Sequence, residues 1–216
     1  MARIKICGVR DRAAIDAAAA GRADYVGFVF FAKSPRNLSL DEAGGLAGAV
    51  PSGIRRIGLF VNADDEAIGA AVRAARLDGV QLHGEEGPDR VAAVKARFDV
   101  EVWKAISVAT RADLVGARRY AGVADRILFD AKTPTGAALP GGMGVRFDWR
   151  LLAGDRGGFD PGAAWGLAGG LDASTVGEAL ATTQAPLVDV SSGVEDAPGV
   201  KSPAKIRAFC EAVRAR

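Results

Sequence analysis

The sequence has few of the residues on which many functional sites depend. It contains two cysteines, Cys7 and Cys210, and one histidine among 216 residues. Two cysteines so far apart do not form the disulfide framework of a small secreted protein, and one histidine argues against a histidine-based zinc site. No run of about 18 apolar residues is present, and the charged start lacks the long apolar segment of a signal peptide. We therefore expect a cytoplasmic protein with reduced thiols, no metal site and no membrane partner.

Neither sign of charge is in excess. Lys and Arg number 28 and Asp and Glu number 26, so the formal net charge is +2. This balance is too close to neutral to indicate a nucleic-acid partner. Hydrophobic residues make up 49% and charged residues 25%, which is typical of a globular protein. The length and the absence of a linker-like segment predict one domain over residues 1–216.

Eight short apolar runs divide the chain at regular intervals. They cover 3–7, 24–30, 55–61, 79–83, 100–106, 125–131, 164–170 and 187–192. Their near-continuous apolar character is typical of parallel strands with both faces covered by protein. Eight units in 216 residues give about 27 residues each, which favours a parallel eight-stranded (β/α)₈ barrel. A doubly wound open sheet is the alternative.

The stretches between the runs carry helix signals. Ser39 and Glu42 have the spacing of a capping box, and Ser202-Pro203 places a capping hydroxyl before a proline at the first helical position. In the last helix, Cys210 falls on an apolar face with helical spacing and is predicted to be a buried core residue. Region 107–125 has the weakest pattern, and 154–162 is predicted to be a surface excursion.

Glycines follow three of the predicted strands where a barrel enzyme places its chemistry. Backbone N–H groups can approach a ligand closely at glycines, and the loops after strands seven and eight are the recurrent phosphate site of such barrels. We therefore predict a phosphate site. Its candidate residues are Gly142, Gly144, Gly169, Gly170, Ser191 and Ser192.

The order of several motifs resembles the phosphoribosylanthranilate isomerase family of tryptophan biosynthesis along nearly the whole chain. The segments are KICGVRD, GFVFFAKSPRNLS, IGLFVN, QLHGEE, ILFDAK, GGMGVRFDW, LAGGL and VDVSSGVEDAPGVKS. The resemblance implies a (β/α)₈ barrel without a cofactor that acts on a phosphorylated small molecule, as a monomer or homodimer. It also implies an Amadori rearrangement of N-(5-phosphoribosyl)anthranilate to an open-chain 1-deoxyribulose 5-phosphate product.

The resemblance also implies roles for particular residues. Cys7 of KICG corresponds to the general base and Asp130 of ILFDAK to the general acid. Arg36 of KSPR corresponds to a contact with the anthranilate part, and Asp189 to a polar residue near the reacting sugar. His83 of QLHG has no Ser or Asp arrangement apparent beside it, so we predict that it braces the substrate site.

Four residues at three places depart from the motifs, although none is the proposed acid or base. Met143 stands where many members have a threonine, Val9-Arg10 where a threonine often follows, and Asn37 where an aromatic residue is common. Because Asn37 replaces that aromatic residue, the motif does not define the wall around the anthranilate ring.

The chemistry is compatible with a thiol base. Opening the furanose ring leaves an iminium that makes the C2–H of the sugar acidic, so a moderate base suffices, and a thiol titrates near 8.5. Alternation along the first strand places Lys5 on the same side as Cys7. Lys5 is therefore the first candidate for the group that gives Cys7 its thiolate character.

Other functions remain open at the level of sequence. One is a sister barrel acting on another phosphosugar, such as indoleglycerol phosphate synthase or a dual-substrate isomerase. The synthase would need a lysine as acid, and the dual-substrate enzyme would be expected to pair two aspartates. Another is a non-catalytic phosphate-binding barrel, against which the presence of both Cys7 and Asp130 argues.

Overall fold

Eight parallel strands form a closed barrel in which each strand pairs with the next along the chain and the last pairs with the first. This computed structural model describes residues 1–132, 141, 144, 146–153 and 164–215. The barrel strands are β1 (Arg3–Cys7), β2 (Tyr25–Phe30), β3 (Arg55–Phe60), β4 (Gly79–Leu82), β5 (Glu101–Val108), β6 (Arg126–Ala131), β7 (Ala164–Leu167) and β8 (Leu187–Val190). The predicted (β/α)₈ architecture is confirmed.

Helices follow most strands and cover the outside of the barrel. Within the described residues they are α1 (Arg12–Ala20), α2 (Leu40–Ala47), α3 (Asp65–Ala74), α4 (Pro88–Arg97), α5 (Arg111–Ala117), α6 (Val176–Thr183) and α7 (Pro203–Arg214). A short antiparallel hairpin of β9 (Glu195–Ala197) and β10 (Val200–Lys201) lies between β8 and α7. The predicted excursion at 154–162 lies outside the described residues.

The predicted strands are confirmed, with small differences at their ends. The largest is in β7, which ends at Leu167 although the apolar run continues to 170. Gly169 and Gly170 have φ values of +85° and +63°, so the chain leaves the extended conformation there. The weakly patterned region 107–125 contains the end of β5, the short helix α5 and a 3₁₀ turn.

Both predicted helix starts are confirmed, but they differ in detail. At α2, Ser39 accepts a hydrogen bond from the Glu42 N–H and the Glu42 carboxylate accepts one from the Ser39 N–H, which completes the capping box. At α7, Pro203 occupies the first helical position, as predicted. The Ser202 hydroxyl interacts with Asp196 on the hairpin instead of capping the helix.

The core has two parts because successive strand residues face opposite sides of the barrel wall. The larger part lies between strands and helices and includes Cys210, which is 1% exposed as predicted. The smaller part fills the barrel interior, with Tyr25, Ile57, Trp103, Ala105, Leu128, Ala168 and Leu187. The site described below lies directly above this inner cluster.

Three aspartates hold the amino-terminal end of the barrel together. Asp24, Asp78 and Asp125 immediately precede β2, β4 and β6. Each carboxylate accepts a 2.8 Å hydrogen bond from a backbone N–H of the preceding strand, at Ile4, Arg56 and Val102 respectively. This repeated contact lies at the amino-terminal ends of the strands. Functional side chains can therefore lie at the opposite, carboxyl-terminal ends without disturbing it.

Candidate active site

One cavity at the carboxyl-terminal ends of the strands collects the predicted site residues. It has a volume of about 780 Å³, including its opening to solvent. Every predicted site residue that the structure describes lines it, namely Cys7, Arg36, His83, Asp130, Gly144, Gly169, Gly170, Asp189, Ser191 and Ser192. Gly142, like Met143, lies outside the described residues. The position agrees with the location of active sites in parallel barrels.

Cys7 ends β1 with its thiol facing the cavity. The residue is only 4% exposed, and Gly8 follows it with φ +74°, which turns the chain away from the strand. Space for the thiol is provided by Gly27 on the neighbouring strand. A Cβ atom on Gly27 would lie 2.9 Å from the Cys7 Sγ and 3.2 Å from the Lys5 Nζ. The glycine at 27 therefore lets the thiol and the ammonium group lie close together.

A buried ion pair lies beside this thiol. The Lys5 Nζ is 3.0 Å from the Asp189 Oδ1, and the Lys5 side chain is fully buried. Burial lowers the pKa of Lys5, but the charges of Asp189 and Cys7 outweigh it and hold that pKa above its ordinary value. Burial raises the pKa of Asp189 even against the attraction of Lys5, and the nearby Asp130 adds to the increase. The sequence-based prediction that Lys5 is the cation beside Cys7 agrees with this geometry.

The thiol itself is under opposing influences. Burial raises the pKa of Cys7 above its ordinary value, while the positive charges of Lys5 and Lys201 act in the other direction. Lys201, from the β9–β10 hairpin, was not predicted from the sequence as part of the site.

Asp130 is held at the end of β6 in a fixed orientation. Its Oδ1 accepts a 2.8 Å hydrogen bond from the Ala131 N–H, and its Oδ2 lies 3.1 Å from the His83 Nε2, although this contact is poorly aligned for a hydrogen bond. Cβ atoms on Gly141 or Gly169 would each lie within 3 Å of an Asp130 carboxylate oxygen. Glycine backbone therefore surrounds the Asp130 carboxyl group. The space that side chains at 141 and 169 would fill is left for a substrate atom.

Gln81 lies behind His83 on the same face of β4. The Gln81 Nε2 is 3.2 Å from the His83 Nδ1, and Gln81 is fully buried. The Gln81 amide can donate to a His83 Nδ1 that carries no proton or, with the amide reversed, accept from a protonated Nδ1. We did not predict Gln81 as a site residue from the sequence. Its position two residues before His83 could have indicated it, because alternate residues along a strand face the same side.

Arg36 is held by a carboxylate from the hairpin. Its Nε and Nη2 atoms each donate a 2.7 Å hydrogen bond to Glu195, whose side chain is nearly fully buried. A Cβ on Gly8 would lie 2.6 Å from the Arg36 Cδ, so the glycine of KICG provides the surface on which the arginine side chain lies. Glu195 was not predicted from the sequence, because only the fold brings it next to the loop after β2.

The predicted phosphate residues come from three loops that meet at one side of the cavity. Gly144, Gly169 and Gly170 have positive φ values, and a 3₁₀ turn over Ser192–Val194 begins directly after β8. A Cβ on Gly193 would clash with the Leu171 carbonyl oxygen, so the loops after β7 and β8 pack closely together. Glycine-rich backbone and a short helical turn at this place are typical of phosphate sites in barrels.

A thiol and two carboxylates beside the predicted phosphate residues are typical of one class: a (β/α)₈-barrel enzyme of acid–base type acting on a phosphorylated substrate. The family model for N-(5'-phosphoribosyl)anthranilate (PRA) isomerase matches residues 4–212. The chain belongs to this family and is an isomerase of tryptophan biosynthesis.

Individual relatives agree with the family. The N-(5'-phosphoribosyl)anthranilate isomerase of Cereibacter sphaeroides is 52% identical over 212 residues, which are 98% of each chain. The crystal structure of phosphoribosyl anthranilate isomerase from Thermotoga maritima has a TM-score of 0.88 at 34% identity and covers 100% of both chains. A structure of the isomerase with reduced 1-(o-carboxyphenylamino)-1-deoxyribulose 5-phosphate has a TM-score of 0.86 at 32% identity over the same coverage.

The Thermotoga maritima enzyme is described as dimeric, and a structure of monomers generated from it has a TM-score of 0.85 at 34% identity over 100% of both chains. Both assembly states therefore occur among the structural relatives.

The described ranges contain neither a cluster of metal ligands nor a helix that could cross a membrane. No group of three or more His, Cys, Asp or Glu side chains there is arranged to hold a metal ion. None of the helices in the same ranges has the length and apolar character needed to span a membrane.

Proposed function

We propose that this chain isomerises N-(5'-phosphoribosyl)anthranilate with Asp130 as general acid and Cys7 as general base. The observation that carries these roles is that both side chains, from β6 and β1, line the same cavity beside the phosphate seat. The phosphate group would bind at the glycine loops, which would place the sugar between the acid and the base.

Ring opening is the first step. Asp130 gives a proton to the ring oxygen as the C1–O bond breaks, and the nitrogen lone pair of the anthranilate forms an iminium with C1. The fixed orientation of the carboxyl group supports this role, because Oδ1 is engaged by the Ala131 N–H while Oδ2 faces the cavity side near His83. His83 thereby acts as a substrate-binding brace beside the acid.

Proton abstraction is the second step. The thiolate of Cys7 takes the proton from C2, the C–H electrons form a C1–C2 double bond, and the iminium nitrogen becomes neutral. The resulting enol then gains a proton at C1 and loses the hydroxyl proton at C2, which yields the ketone product. Lys5 and Asp189 would stabilise charge around C2, since their ion pair lies beside the thiol.

The aromatic end of the substrate requires a cation. Arg36 lines the cavity with its guanidinium group held by Glu195, so it can bind the anthranilate carboxylate without first becoming ordered.

The partner of the protein in this proposal is a phosphorylated small molecule. Because the proposed base must be a free thiol, and both cysteines are free, a reducing cytoplasm suits the enzyme. Light scattering would distinguish a monomer from a homodimer.

The test measures loss of anthranilate-amine fluorescence when the purified chain is mixed with phosphoribosylanthranilate. Cys7→Ala and Asp130→Asn should each reduce kcat by a factor of about 10³ or more while substrate binding persists. The matched controls are Cys210→Ala, in the core, and Asp16→Asn, on the surface of α1. Near-parental turnover in either site variant would disprove the corresponding role.

The pH dependence provides a second check. Because burial raises the pKa of Cys7, the fraction of thiolate grows as the pH rises. In Asp130→Asn, where the acid no longer titrates, the residual kcat/KM should therefore increase from neutral into the alkaline range. A residual kcat/KM that falls steadily above pH 7 in this variant would contradict a thiolate base.

A further inference from the structure

The β9–β10 hairpin carries a buried lysine that contacts the active-site strands. The Lys201 side chain is fully buried, and its Nζ lies 2.7 Å from the Glu195 Oε1, 2.9 Å from the Ser191 carbonyl oxygen and 3.2 Å from the Ser191 Oγ. Three acceptors match the three N–H donors of an ammonium group. The arrangement therefore suits a charged lysine, although burial lowers the pKa of Lys201 against the opposing attraction of Glu195.

This lysine is connected to Cys7 through one serine. The Ser191 Oγ donates a 3.2 Å hydrogen bond to the Cys7 carbonyl oxygen while it accepts from the Lys201 Nζ. The path joins the end of β8, where the phosphate seat lies, to the end of β1, where the thiol lies. Loss of Lys201 would therefore loosen both strand ends.

Two lysines from different strands act on the thiol. Lys5, on β1, is paired with Asp189. Lys201, on β10, shares Glu195 with Arg36. The positive charges of Lys5 and Lys201 both favour the thiolate of Cys7.

We propose that Lys201 is a positioning residue for the isomerase, which holds the Cys7 end of β1 against β8 through Ser191 and supplies a positive charge that favours the thiolate. The proposal rests on the proposed function only in assigning the base to Cys7. The thiol faces charged or titratable groups from every side of the cavity: Lys5 on β1, Asp189 on β8, Lys201 on β10, and Arg36, His83 and Asp130 from the loops and strands across it.

The test titrates the thiol directly. In a Cys210→Ala background, the rate of Cys7 alkylation by iodoacetamide is measured against pH for the parent, Lys201→Met and Lys201→Gln. We expect the midpoint of the rate to move to higher pH in both variants, with alkylation at pH 7 reduced by roughly tenfold for a shift of one unit. Lys201→Arg should restore much of the parental midpoint because it keeps the charge.

A matched control separates charge near the thiol from anchoring of the hairpin. The Lys205 Nζ donates a 2.7 Å hydrogen bond to the Glu195 carbonyl oxygen, so Lys205→Met also removes a cation from the hairpin, but one that is half exposed and outside the cavity. The pH midpoint of Cys7 alkylation in Lys205→Met should equal that of the parent. Equal midpoints in the parent, Lys201→Met and Lys201→Gln would overturn the proposal, as would an equal shift in Lys205→Met.

Kinetic measurements distinguish a failure of the Lys201 proposal from a failure of the assignment of Cys7 as the base. If Lys201 acts on the base, Lys201→Gln should lower kcat more than it raises KM. In an Asp130→Asn background it should also move the rising limb of the residual kcat/KM to higher pH. Should Cys7→Ala retain full turnover, the proposed base would be wrong, yet the alkylation midpoint would still decide whether Lys201 favours the thiolate.

Discussion

At the scale of single residues, the glycines near Cys7 matter as much as the charged groups. Gly8 leaves space for the Arg36 side chain, and Gly27 leaves space for the Cys7 thiol and the Lys5 ammonium group. Gly27 belongs to a strand and does not have a positive φ, so alanine there is a steric change without backbone strain. The packing of the thiol can therefore be altered without changing any ionisable group.

Gly27→Ala should displace the thiol and slow the reaction. The added methyl group would lie 2.9 Å from the Cys7 Sγ, closer than carbon and sulfur can approach, so the thiol must move. A displacement of this kind lowers kcat by roughly 10- to 100-fold. Steady-state kinetics would measure it. Gly45→Ala is the control, because nothing lies within 4 Å of its added Cβ on α2, and its kcat should remain parental. An unchanged kcat in Gly27→Ala would show that the thiol position is not critical.

At the scale of elements, the aspartates before β2, β4 and β6 repeat one structural device. Asp78 is the clearest case, since its carboxylate accepts 2.8 Å and 2.9 Å hydrogen bonds from the Arg56 N–H and Nε. Burial works to raise the pKa of Asp78, but the hydrogen bonds from Arg56 outweigh it and hold the pKa below its ordinary value. The ionised form therefore stabilises the pairing of β3 with the segment that leads into β4.

Asp78→Asn should lower the free energy of unfolding by about 1.5–3 kcal/mol at pH 7, the range for hydrogen bonds to charged groups. A folded-state pKa below the unfolded value near 3.9 means that this stabilisation is fully present above about pH 4 and is lost as the pH falls through the folded value. Urea unfolding at pH 7 and pH 3 would measure the difference, which should shrink at the lower pH. Asp16→Asn, on exposed α1, should change stability by less than about 0.5 kcal/mol. A pH-independent difference would argue against the charge as the cause.

At the scale of the whole molecule, closure of the barrel brings the two ends of the chain together. β1 pairs with β8 over the register Arg3–Leu187 to Ile6–Val190, and α1 packs on α7. Because β1 carries the thiol and β8 leads to the phosphate loop, neither half of the chain contains a complete site. We infer that the chain forms one barrel domain.

Inorganic phosphate should stabilise this barrel as a whole. A ligand that binds only the folded state raises the unfolding temperature, and at 100 times its Kd it adds about 2.7 kcal/mol. We expect phosphate to raise Tm relative to chloride at equal ionic strength, measured by calorimetry. Ser192→Asp, which introduces a negative charge at the seat, should abolish the phosphate-dependent increase. A Tm that responds equally to phosphate in the parent and in Ser192→Asp would place phosphate binding elsewhere.

Much of the fold could be predicted because strand and helix formation depends on local patterns. The eight apolar runs, the capping box at Ser39 and the proline at 203 all lie within short segments. The order of the motifs also indicated the family, and the residues that end strands were predicted to line the site because parallel strands end at one face.

The sequence by itself therefore determined the barrel, the family and several of the residues that face the cavity. The tertiary structure alone decided which groups meet: Gln81 behind His83, Glu195 against Arg36, and Lys201 against Ser191 after β8. Arg36 and Glu195 are separated by 159 positions, and nothing local in either segment specifies the other. Their pairing follows from barrel closure, because a buried charge must find an opposite charge wherever the fold places one.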